Sequence, residues 1–74
     1  MTTEQKIYAL VERVEHDGAA IGVISTGEAI AVALVLDRQD LLRIPKLGGY
    51  TMLEAVERLG PEWTRAALAV QRSR

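Results

Sequence analysis

The sequence predicts an all-α fold, a compact bundle of about four short helices, and three observations carry that expectation. A Ser or Thr followed three residues later by Glu or Gln occurs three times, at Thr2 with Gln5, Ser25 with Glu28 and Thr51 with Glu54. In this arrangement two side chains satisfy the unpaired amides at a helix start. Downstream of the first and third pairs, apolar residues recur at three- and four-residue spacing, which gathers them on one helix face. The most apolar stretch contains Ala29, Ala31 and Ala33, and alanine is the best helix former and a poor strand former.

The first helix is expected over roughly residues 3 to 16, with Ile7, Leu10, Val11 and Val14 on its inner face and Gly18 in the left-handed position that closes many helices. A second helix is expected from Glu28 to about Arg43, apolar on every side for its first two turns and stopped by Pro45, because a residue before proline avoids helical angles. The alternative for this region is an α+β fold with a β-hairpin at residues 20–36, its strands Ala20 to Ser25 and Ala29 to Leu36 meeting at Thr26-Gly27. Thr-Gly lacks the Asn or Asp that the tightest hairpins favour, so the helix is preferred. Ala19 to Ile24 reads as either a short helix or a buried connector. The third helix, residues 51 to 59, carries Met52, Leu53, Val56 and Leu59 and ends at Gly60. Pro61 suits the first turn of a fourth helix over residues 61 to 72, where Trp63, Ala66, Ala67 and Val70 repeat the spacing. The expected core is Ile7, Leu10, Val11, Val14, Ile30, Leu34, Leu53, Val56, Leu59, Trp63, Ala66 and Val70.

Composition narrows the chemistry. The 74 residues are 49% hydrophobic with net charge -1, the balance of one small folded domain. Without cysteine there is no disulfide and no thiolate nucleophile, and a single histidine cannot build a tetrahedral zinc cluster. The polar start, Met1 to Lys6, is unlike a signal peptide, and the longest apolar run, Ala29 to Leu36, is too short for a membrane span, so a cytoplasmic protein is expected. A domain this small gains little beyond the entropy it loses on folding, which favours partner contact and a homo-oligomer, most simply a dimer.

Individual residues give few chemical leads. His16 has no second His or Cys nearby in sequence and suits the negative end of a helix dipole. Ser25 reads as a cap, Ser73 lies in the tail, and the acidic pairs Glu12 with Glu15, Asp37 with Asp40 and Glu54 with Glu57 lie three apart on solvated helix faces. Leu47-Gly48-Gly49-Tyr50-Thr51 invites comparison with anion-binding loops but lacks the spaced glycines and the Gly-Lys-Ser/Thr ending of a nucleotide loop. No catalytic residue, metal ligand or cofactor site is assigned. Tyr50 and Trp63 are the candidate partner-binding residues, because a large amphipathic ring serves equally as core anchor and as interface anchor.

Residues 52–71 resemble a helix-turn-helix over about twenty positions. Ala55-Val56-Glu57-Arg58-Leu59-Gly60 matches the first helix and its turn glycine, and Ala66 and Ala69 fall where the second helix packs. The resemblance implies a DNA-binding regulator in which Arg65, Arg72 and Arg74 contact nucleic acid. The chain departs from the pattern at Val56, where a small residue is usual. Its would-be groove-facing positions, Glu62, Thr64, Ala67, Leu68 and Gln71, offer no cation to guanine. A non-enzymatic interaction or accessory module that binds itself, and in addition a larger protein, is therefore the leading expectation. The DNA-binding regulator is the alternative.

Overall fold

Each of the three capping pairs opens a helix in the computed structural model, which describes residues 1–74. Helices α1 (Thr3–His16), α2 (Thr26–Val35), α3 (Met52–Leu59) and α4 (Pro61–Ser73) form an all-α bundle. Two 3-10 turns, Gly18–Gly22 and Gln39–Arg43, complete the chain's regular structure, and there is no strand. At the start of α1 the Thr2 hydroxyl accepts from the Gln5 amide at 3.1 Å while the Gln5 side-chain oxygen accepts from the Thr2 amide at 2.9 Å. Ser25 with Glu28 and Thr51 with Glu54 repeat this reciprocal pair.

The preferred helical reading of the middle of the chain holds, and the alternative hairpin at residues 20–36 does not form: Ala20 to Gly22 belongs to a 3-10 turn, and Thr26-Gly27 lies in the first turn of α2. The structure departs from the sequence reading at two helix ends. Gly18 does not close α1, because Asp17 leaves the helix in an extended conformation and its carboxylate accepts from the Ala19 amide at 3.1 Å, capping the turn that follows. Most consequentially, α2 stops at Val35 rather than Arg43. Asp37 takes a left-handed conformation with φ 53°. The Arg38 amide then reaches back to the Ala33 carbonyl at 3.0 Å and the Asp37 amide to the Leu34 carbonyl at 3.2 Å. These are the two bonds of a Schellman closure, formed here around an aspartate in place of the usual glycine. The chain re-enters as the Gln39–Arg43 turn, which delivers Leu42 to the core.

Helix α2 is the centre of the bundle and packs against α1, α3 and α4. Ala29, Ile30, Ala31, Val32, Ala33 and Val35 are all buried on it. Around it stand Ile7, Val11 and Val14 of α1, Ala66, Ala67 and Val70 of α4, and Ala55 of α3. Alanines at these contacts allow close helix approach. Of the expected core, Ile7, Val11, Val14, Ile30, Ala66 and Val70 are buried, while Leu10, Leu34, Leu59 and Trp63 pack at its margin. Leu53 and Val56 are the corrections, because both lie outside. On α3, positions 52, 55 and 59 share one face and 53 and 56 the next. The fold turns the first of these inward, and Ala55 is fully buried.

Candidate functional site

The rotation of α3 creates the most distinctive surface of the molecule. Between α3 and α4 the chain reverses at Gly60, whose φ of 88° and ψ of 165° belong to a region essentially restricted to glycine. The Gly60 amide donates to the Val56 carbonyl at 3.1 Å, and the Thr64 amide returns to the Gly60 carbonyl at 3.0 Å. This short corner sets the end of α3 against the start of α4, where the Thr64 hydroxyl donates to the Val56 carbonyl at 3.5 Å, with Pro61 at the first position of α4 where its missing N–H costs nothing. Leu53 is left 84% exposed, Leu68 43% and Val56 39%.

Val56 and Leu68 line a groove between the two helices, and Leu53 lies one turn before Val56 on the same side of α3. One part, about 180 Å³, is lined by Leu34, Val56, Thr64, Ala67, Leu68 and Gln71. A second part, about 480 Å³, is lined by Val56, Glu57, Gly60, Pro61, Thr64 and Arg65. Val56 and Thr64 belong to both parts, so the groove is continuous. Its floor is apolar, and its second part is flanked by an acidic residue from α3, Glu57, and a basic one from α4, Arg65. The ion pairs within the chain are Lys6 with Glu28, Arg38 with Asp40 and Arg74 with Glu15. Glu57 and Arg65 thus line one groove with neither paired inside the chain.

Tyr50 and Trp63 sit half-buried against the core, Tyr50 just before α3 and Trp63 in the first turn of α4. The Lys6 ammonium lies 5.6 Å from the centre of the Trp63 ring and 3.4 Å from a Glu28 carboxylate oxygen, tying α1 to both α4 and α2. Of the three arginines singled out, Arg65 and Arg72 are exposed, whereas Arg74 is held by Glu15 at 2.6 Å. His16 is exposed in the last turn of α1. In the glycine loop, the Gly49 and Tyr50 amides donate to the Leu42 carbonyl at 3.0 and 3.2 Å, and the Gly48 amide to the Ile44 carbonyl at 3.1 Å. These amides are turned inward, away from any external anion.

Along α4, Ala67 is buried and the Gln71 side-chain amide donates to the Leu34 and Val35 carbonyls at 3.2 and 3.1 Å. Gln71 therefore caps the free C-terminal end of α2, a role without a local sequence signal because its acceptors lie more than thirty positions away. Leu53 and Val56 were equally hidden, since the helical spacing assigns them to the core.

The groups whose proton affinity the fold alters are caps, ion-pair partners and Tyr8. Glu28 and Glu54 are held below the usual carboxylate value, each chiefly by the backbone amide of its capping partner, Ser25 or Thr51. The Arg38 guanidinium lowers Asp40, and the Glu12 carboxylate one turn along α1 raises Tyr8. None of these groups lines the groove between α3 and α4. Compared with protein-family models, with curated proteins and with solved structures, the chain finds no match, so its functional reading rests on this geometry.

Proposed function

We propose that the chain is a non-enzymatic interaction module that self-associates through the α3–α4 face. The observation that carries this reading is the exposure of Leu53, Val56 and Leu68, of which Val56 and Leu68 line one continuous groove and Leu53 lies a helical turn from Val56. Leu53 gains little from folding, Val56 and Leu68 keep about two fifths of their surface in water, and contiguous exposed apolar surface is characteristic of association sites. The coarse architecture supports it as well: a short helical hairpin is rigid and offers two neighbouring helix surfaces to a helical partner. No helix is long and apolar enough to cross a membrane, and we assign the module to the cytoplasm.

The helix-turn-helix alternative has less support. Ala67 and Gln71, two of the positions that would face the DNA groove, are engaged with the core and with α2, and Arg74 is paired with Glu15. Light scattering and a low-salt gel shift separate the readings. The interaction module gives a concentration-dependent dimer that Leu53→Glu dissociates, and no mobility change with random duplex. A monomer that retards duplex DNA overturns it in favour of the regulator, given how general non-specific attraction is among DNA-binding proteins.

A further inference from the structure

Self-association through the α3–α4 face leaves open how two copies meet, and the charges beside the groove answer that. Glu57 on α3 and Arg65 on α4 line the same depression, of opposite sign and without an ion-pair partner in the chain. A surface with an acidic bank, an apolar floor and a basic bank is the complement of its own inverted copy. A twofold contact uses the same patch on both subunits, so that a residue meeting a second residue across the interface is itself met by the first. Placing the twofold axis along the groove sets α3 of one copy over α4 of the other. It brings the two floors together and lays each acidic bank on the opposing basic bank.

Resting on the self-association reading above, we infer that the occupant of the groove is the α3–α4 hairpin of a second copy, related by a twofold axis along the groove, with Glu57 of each copy meeting Arg65 of the other. Leu53, Val56 and Leu68 of both copies then form one dry layer between four helices. The apolar layer supplies the attraction, and the two charge pairs select the register, because any parallel-bank arrangement opposes like charges. A standard interface takes about 800 Å² from each partner. That is about a sixth of the 4635 Å² surface, an area two adjacent helices of this length can supply.

The test is sedimentation equilibrium on the full chain and on Glu57→Arg, Arg65→Glu, the double reversal and Leu53→Glu, each checked for unchanged helicity by circular dichroism. All three positions are exposed, so the variants fold. The expected result is a wild-type dimer, about tenfold weaker association in each single reversal, and recovery to within about threefold of wild type in the double reversal, since two pairs are lost and regained together. Leu53→Glu is monomeric. A double reversal no tighter than the weaker single, with Leu53→Glu still dissociating the dimer, overturns the twofold register and leaves self-association standing. A wild-type monomer, or a dimer indifferent to Leu53→Glu, overturns both.

Discussion

Leucine 53 separates this structure from the simplest reading of its helical spacing, and its truncation is the sharpest test of how α3 is oriented. Leu53 is 84% exposed, so only about a sixth of its side chain leaves water on folding. Full burial of a leucine contributes about 1.5–3 kcal/mol, and a sixth of that is about 0.3–0.5 kcal/mol. Alanine also has a small advantage in helix propensity, of a few tenths of a kcal/mol. Leu53→Ala in the monomer should therefore change the unfolding free energy by about 0.5 kcal/mol or less. Ile30→Ala, at a position with no exposed surface, should cost about 2–5 kcal/mol through lost transfer and the cavity left behind. The assay is urea unfolding followed by circular dichroism, at a concentration below that of dimerisation so that association does not add to apparent stability. A loss above about 2 kcal/mol for Leu53→Ala would place the residue in the core, reverse the rotation of α3 and remove the proposed surface with it.

Three further outcomes follow from named geometry. Gly60→Ala destabilises by about 1–3 kcal/mol, because φ 88° and ψ 165° admit little but glycine; nothing lies within 4 Å of the added methyl, so the whole loss is backbone strain, and an unchanged urea midpoint contradicts it. Asp37→Gly stabilises by about 0.5–1 kcal/mol, since glycine takes the left-handed Schellman position without the steric cost borne by aspartate; a lowered midpoint refutes the closure. Glu28 and Glu54 are both depressed from 4.5, so the stability they contribute is complete above that value and declines as pH falls through their lower folded values. Thermal unfolding from neutral to acidic pH should show this decline below pH 4.5, and Glu28→Gln should flatten part of it; a variant as acid-sensitive as wild type counts against the capping carboxylate as its source.

What the sequence made legible was local, and what it concealed depended on distant packing. The pairs Thr2 with Gln5, Ser25 with Glu28 and Thr51 with Glu54 announce three helix starts because both partners lie within one turn, and Gly60-Pro61 announces the fourth for the same reason. The end of α2 is hidden because the residue that closes it is Asp37 rather than glycine, which leaves Pro45, ten positions beyond Val35, as the first stop signal in the sequence. The face of α3 was hidden for another reason. Met52, Leu53, Val56 and Leu59 span about a third of the helix circumference, and spacing alone does not say which edge of that arc docks. The small Ala55 decides it by permitting close approach to α2, and alanine carries too weak a hydrophobic signal to be read as the anchor. The same event that defeats the sequence reading places Leu53 and Val56 at the candidate surface.

The most direct test of the association face is a dilution series of amide proton–nitrogen correlation spectra, which reports at each residue where two copies touch. Concentration-dependent shifts are predicted to cluster on Leu53, Val56, Glu57, Thr64, Arg65 and Leu68, leaving α1 unmoved. Shifts centred on α1, or spectra identical across the series while the chain sediments as a single copy, would contradict the account.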